Sequence, residues 1–377
     1  MRRRVCRGHR VAQGGAGARA FGSTCGPPAQ RELGLRTNVP VRHFDAASDS
    51  SVSKVIESFR HTSFQSRNLA KCLDVLIEML TDAARPVVFM GLSGAMVPAG
   101  MRKVVRDMIK LGVVDVLVST GANLYHDLHE ALGFHHYVGA AHVDDVMLEK
   151  MNVDRIYDTY AWDEEFVQTD RYLIEFADRL EPRLCSSREF LHILGKHLSD
   201  DQSILRTAAE VGAPIFCPAL SDSSIGIALT AYRLARLRAG KQALAIDPIQ
   251  DNLEILEIKR RAAKTAALYV GGGVPKNYIQ QLKPMADIAG VKVEGHSYAV
   301  QITTDDPKWG GLSGCTLEES QSWGKLTSKA HHATVYMDAT IGLPLLFKAL
   351  VERRSEWQAR QPLASSSLIV QGLKSKP

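Results

Sequence analysis

The segment best equipped for chemistry is Glu319-Ser320-Gln321-Ser322-Trp323-Gly324-Lys325, which follows a Gly-rich loop at 309–315. A lysine amine attacks an electrophilic carbon only when unprotonated, and desolvation beside an indole lowers its pKa toward neutrality. The same spacing also fits a solvated lysine at a helix end, and periodicity alone favours that plainer reading. A second set of candidates lies in turns rich in glycine and small polar residues, at 91–100, 119–123, 218–224 and 271–273. Such turns let backbone N–H groups approach a phosphate, and a following helix adds its N-terminal dipole. One such turn is ordinary turn chemistry; four in one chain suggest a dinucleotide. None of them is a G-x-G-x-x-G fingerprint, and the acid expected about 20 residues further on is not evident.

These turns need elements to carry them. Leu69, Cys72, Leu73, Leu76, Ile77 and Leu80 recur at helical spacing and form one apolar stripe. Short apolar runs at 86–90, 113–118, 214–217, 243–246, 266–270, 298–302 and 334–337 read as buried strands, with helical patterns between them. Continuous apolar strands alternating with helices predict an α/β fold: a single large doubly wound, mostly parallel sheet with helices on both faces, Rossmann-like. In such a sheet ligands bind beyond the carboxyl ends of the strands, where the small-residue turns fall.

Composition narrows the function. The 377 residues are 45% hydrophobic and 23% charged, with a formal charge of +5. Residues 1–40 carry eight arginines against Glu32 alone, so the remaining chain has 38 bases and 40 acids. A slightly acidic body argues against a nucleic-acid surface. No apolar run is long enough for a membrane span. Six dispersed cysteines without a metal-ligand spacing point to free thiols in a reducing compartment and to no metal. Residues 1–40 read as a disordered leader, either an organelle transit peptide or sequence upstream of the true start, on a protein otherwise expected in the cytoplasm. Residues 41–352 read as the catalytic domain and 353–377 as a disordered tail.

The ordered motifs "SFQSRNLAKCLDVL" (63–76), "VVDVLVSTGAN" (113–123), "CPALSDSSIG" (217–226), "YVGGGVPKN" (269–277), "SWGK" (322–325) and "VYMDATIGLPLL" (335–346) resemble those of deoxyhypusine synthases. "TGAN" and "GGGVPKN" resemble the bacterial and archaeal branch more closely than the eukaryotic one. The resemblance implies an NAD-dependent transferase that cleaves spermidine, carries its aminobutyl fragment as an imine on Lys325, and passes it to a lysine of a translation factor. It implies NAD contacts at Gly94, Ala95, Thr120, Gly121, Ala122, Asp222, Gly273, Thr304, Asp305, Asp338 and Ala339. Polyamine contacts are implied at Tyr125, Tyr278, Gly310, Ser313, Glu319 and Trp323. It also implies a homotetramer with sites at subunit interfaces, and a lid formed by residues 52–60.

The chain departs from the eukaryotic pattern on the substrate side. Tyr125-His126 stand where those members have a Glu pair, Ile227 and Leu312 where they have aspartates, and Tyr278 where they have a histidine. His126 is the candidate proton-transfer base in place of a carboxylate. Because polyammonium binding needs anionic partners, two alternatives stay open: transfer to a free amine such as putrescine or agmatine, giving homospermidine or a relative, and a catalytically dead NAD-binding regulatory paralogue.

Overall fold

A computed structural model describes residues 40–47 and 51–369; the leader and the last residues of the tail lie outside the described residues. The strands are β1 (Val87–Leu92), β2 (Val116–Ser119), β3 (Tyr137–Val138), β4 (Val153–Ile156), β5 (Thr159–Trp162), β6 (Leu184–Cys185), β7 (Ile215–Phe216), β8 (Ala245–Ile246), β9 (Thr265–Val270), β10 (His296–Thr303) and β11 (Leu326–Tyr336). Six of them form one sheet in the order β11-β10-β9-β1-β2-β7. Every pairing in it is parallel. Counted along the sheet's own strands this is the order 3-2-1-4-5-6 of dinucleotide-binding folds, with its switch point between β1 and β9.

The apolar runs are continuous because both faces are covered. On β1, Val88, Met90 and Leu92 join one core cluster while Val87 and Phe89 join the other. On β9 the division is the same, with Ala266, Leu268 and Val270 on one face and Ala267 and Tyr269 on the other. The stripe predicted on Leu69–Leu80 lies in helix Phe64–Thr81 and packs into the larger cluster.

Three features were not foreseen. The run at 243–246 forms β8, which pairs only with β6 outside the main sheet. Residues 137–162 fold into a small antiparallel sheet, β3-β5-β4. The expectation of a disordered tail from 353 is corrected for residues up to 369. Trp357 is buried and donates from Nε1 to the Leu350 carbonyl at 3.0 Å. Arg360 reaches under the sheet to Asp115 at 2.6 Å and to the carbonyls of Pro86 and Gly112. Asp115 also accepts a bidentate pair from Arg85 at 2.8 Å, so a buried carboxylate is fully engaged. Helix Val52–Ser58, the candidate lid, buries Ile56 and is tied to its own chain by the Ser53 N–H donating to Glu352 at 2.8 Å.

Candidate functional site

The carboxyl ends of the strands build a rim of interlocked turns. Ser93, just after β1, donates its hydroxyl to the Gly272 carbonyl after β9, which ties the two lips of the switch-point crevice. The Thr120 hydroxyl donates to the Gly94 carbonyl at 2.9 Å. Asn123, fully buried, accepts from the N–H groups of Met96 and Val97 and donates to Gly94 and Thr120. Gly121 presses on Ser223, where an added Cβ would lie 2.3 Å from the serine side chain. The Gly273 N–H donates to the Ser313 hydroxyl at 2.9 Å, and a Cβ on Gly272 would lie 2.2 Å from the Ser313 Cα.

Helices Gly121–Ala131, Ser224–Arg238, Gly273–Gln280 and Ala339–Glu352 all begin on this rim. Their caps are Thr120, Ser223, Gly272 and Asp338, and the glycine brings no side chain to its end. Gly94 and Gly273 have φ of +71° and +53°, a region glycine enters without a Cβ penalty. The expected cofactor positions thus share one edge: Gly94, Ala95, Thr120, Gly121, Ala122 and Gly273 all lie in the turns after β1, β2 and β9. Asp222, Thr304, Asp305, Asp338 and Ala339 follow β7, β10 and β11. The Asp222 carboxylate is exposed and has no hydrogen-bond partner among the described residues.

Lys325 sits where a helix turns into β11. Helix Leu317–Ser322, capped by Thr316, ends with the Gly324 N–H donating to Gln321 and the Lys325 N–H donating to Ser320 at 3.0 Å. Gly324 has φ +65°. This pair of hydrogen bonds around a left-handed glycine is the Schellman termination, which explains why glycine separates Trp323 from Lys325. The Lys325 carbonyl then accepts from His296 at the start of β10. Its Nζ lies 5.0 Å from the centroid of the exposed Trp323 ring. Glu319 is exposed on the same short helix, and Gly310 and Leu312 are exposed on the preceding loop.

Lys276, within the motif at 269–277, carries no expected role, yet it is bound into the rim. It is 1% exposed and donates to Gln301 at 2.9 Å and to the carbonyls of Ser313 and Cys315. It therefore pins the Gly-rich loop to the sheet. Burial lowers its pKa to about 8, with the Lys325 charge acting in the same direction and the charges of Glu319 and Asp305 against it. The detectable signal was a lysine one turn inside a helix otherwise glycine-rich and apolar at its start.

Tyr125, His126 and Tyr278 are less exposed. Tyr125 is buried and donates to Asp170 at 2.8 Å and to the Phe166 carbonyl. His126 is 9% exposed, its Nδ1 2.9 Å from His136 Nε2. Its ring also packs on Phe166. Burial, then the charges of His136 and His129, push its pKa down to about 3. Tyr278 packs into the second core cluster with its hydroxyl buried and the charges of Asp251 and Glu254 acting on it.

The deoxyhypusine synthase family model matches residues 54–350. The chain is 47% identical over 331 residues to "Probable deoxyhypusine synthase 2" of Methanosarcina acetivorans, covering 87% of this chain and 94% of that protein. It is 38% identical to the "Deoxyhypusine synthase-like protein" of Coxiella burnetii, covering 88% and 92%. A solved structure described as "a putative deoxyhypusine synthase from Entamoeba histolytica" shares the fold, with a TM-score of 0.58 at 18% identity over 86% of this chain and 99% of that one. A family match across most of the length, with a wholly parallel sheet beneath it, places this chain among the transferases of the deoxyhypusine synthase family.

Proposed function

We propose that the chain transfers the aminobutyl part of spermidine through an imine on Lys325, with NAD held along the rim at the carboxyl ends of β1, β2 and β9. The observation that carries this reading is the Schellman turn that presents Lys325 beside Trp323.

The rim suits a dinucleotide by its own construction. Gly94 and Gly273 hold positive φ, Gly94 has nothing within 4 Å of an added Cβ, and the glycine-capped helix starts beside the crevice between β1 and β9. NAD, when bound, supplies a hydride acceptor for the carbon beside the secondary nitrogen of the polyamine and returns that hydride at the end. The residues of the chain do the rest. The Lys325 amine adds to the oxidised carbon and expels 1,3-diaminopropane, keeping the four-carbon fragment as an imine. An acceptor amine then adds to the same carbon and releases Lys325. Trp323 holds the cationic fragment against its ring, and Glu319 offers a carboxylate to an ammonium. A histidine held neutral down to a pH of about 3 is not poised to take a proton near neutrality, so we assign His126 to shaping the wall of the site.

One observation favours a second reading of the acceptor. Two positions that hold aspartates in eukaryotic members are apolar and exposed here, Ile227 at 64% and Leu312 at 49%. A pocket with fewer anionic partners suits a free diamine or guanidino-amine as well as a protein lysine. The test is to incubate the protein with NAD and spermidine, alone and with putrescine, agmatine or a hypusine-type translation factor, and to identify products by mass spectrometry. Diaminopropane released together with an extended acceptor supports the transferase and names the acceptor. NAD binding without any amine product identifies a regulatory paralogue instead.

A further inference from the structure

The amino end of the same sheet carries a cleft that the proposed reaction does not use. It measures about 550 Å³ and lies between the end of helix Pro248–Arg261, the start of β9, helix Leu282–Ile288 and the loop before β10. Lys259, Arg260, Lys264, Lys283 and Lys292 line it, against the acids Asp287 and Glu294.

Three of these bases already have ion partners: Arg260 with Glu257, Lys264 with Asp82, and Lys283 with Asp287. Lys292 is exposed and has no ion pair among the described residues. Lys259 is only 3% exposed, and among the described residues its ammonium has one partner, the Thr265 hydroxyl at 3.0 Å. An ammonium has three N–H groups to satisfy, and a buried charge without a counter-ion is costly. The groups that face Lys259 are that hydroxyl from β9, the Lys283 ammonium from helix Leu282–Ile288, and buried His296 from β10, whose ring lies against the Ile279 backbone. None of them is an anion. Burial, with the Lys283 charge added, accordingly lowers the Lys259 pKa to about 7.

The cleft also abuts the turn that presents Lys325. A Cβ on its wall residue Gly295 would lie 2.6 Å from the Gly324 carbonyl oxygen, and the next residue, His296, donates to the Lys325 carbonyl at 2.9 Å. A second cleft of about 800 Å³ shares Lys264, Lys283 and Gly295 and continues past Gly324 to Lys329.

We propose that this basal cleft binds a phosphate-type anion, with Lys259 as its buried cation. Occupation supplies the missing counter-charge, so binding takes up a proton at mildly alkaline pH. Through Gly295 and His296 it also stiffens the Lys325 turn, a consequence that rests on the function proposed for Lys325, whereas anion binding itself does not.

The test is calorimetric titration of the full-length protein with inorganic phosphate and pyrophosphate, at fixed ionic strength near pH ~8, in two buffers of different protonation enthalpy. The expected result is saturable binding with net proton uptake. The near-isosteric variant Lys259→Met should lose at least about tenfold in affinity together with the uptake, and exposed Lys292→Ser should lose a few-fold, as expected for one charge-assisted contact. Absence of saturable binding overturns the proposal, and so does phosphate binding that Lys259→Met leaves intact, since that would place the anion elsewhere, for example on the rim. A change in the rate of borohydride trapping at Lys325 when phosphate is added supports the link to the turn. An unchanged rate with intact binding refutes that link alone.

Discussion

Lys325 and His126, the two side chains the sequence nominates for chemistry, occupy opposite surroundings. Lys325 is half-buried on a turn fixed by its backbone hydrogen bonds, and its amine, beside Trp323, has no hydrogen bond or ion pair among the described residues. His126 is packed among His136, His129 and Phe166, its ring nitrogen already bonded. Residue type alone therefore does not identify a catalytic group. A nucleophile needs a rigid backbone and an uncommitted side chain, whereas a committed side chain serves the shape of the fold.

The largest effect is expected at Lys325. Lys325→Ala should reduce amine product formation by ~10³-fold or more while NAD affinity stays within about twofold, as expected when the covalent group is removed but binding is not. Comparable losses in both, measured by product assay and by NAD titration, would mean that the lysine holds the structure rather than the fragment. A rim variant should show the reverse pattern. Gly272→Ala drives a Cβ into the Ser313 backbone, and overpacking of about 1–3 kcal/mol should weaken NAD binding by roughly 5- to 150-fold.

A smaller effect is expected at Gly324, whose φ of +65° strains any Cβ. Gly324→Ala should cost about 1 kcal/mol of stability and lower kcat several-fold by misaiming the amine, with little change in NAD affinity. Thermal melts and steady-state kinetics read both. The smallest effect on neutral-pH activity is expected from the histidine cluster. Burial, then the charges of neighbouring histidines, lowers His126 to about 3 and burial, then the His136 charge, lowers His129 to about 4, from an unfolded value of 6.5. The unfolded chain therefore binds protons that the folded chain refuses. Stability is complete above pH 6.5 and falls below it, down to about 4 for His129 and about 3 for His126, by up to about 1.4 kcal/mol per pH unit for each titrating histidine. His126→Asn or His129→Gln should flatten that acid decline in urea melts and leave turnover near neutrality within a few-fold. A large loss of turnover with His126→Asn at pH ~7 would return a proton-transfer role to His126.

Much of the architecture was legible because its signals are local. The apolar runs that became β1 and β9 sit between helical stripes, and the glycines after them mark the rim. Gly324 was visible as part of a motif, though its reason, the bond from Lys325 to Ser320, needed the helix end to be placed. What escaped was set by distant partners. Arg360 is held by Asp115, 245 positions away, so a polar tail reads as disordered until the carboxylate under the sheet is known. Asn123 and Lys276 look like ordinary polar residues, and their importance lies in the carbonyls and N–H groups that other turns turn toward them. The short strands β3 to β5 pair only with one another, and short strands carry too little pattern to announce themselves.

The most direct test of the account is borohydride trapping with NAD and spermidine, followed by peptide mass spectrometry. The expected result is a reduced aminobutyl adduct on Lys325, dependent on both compounds and absent from Lys325→Ala. An adduct on another lysine, or amine product formed without any trappable adduct, would contradict it.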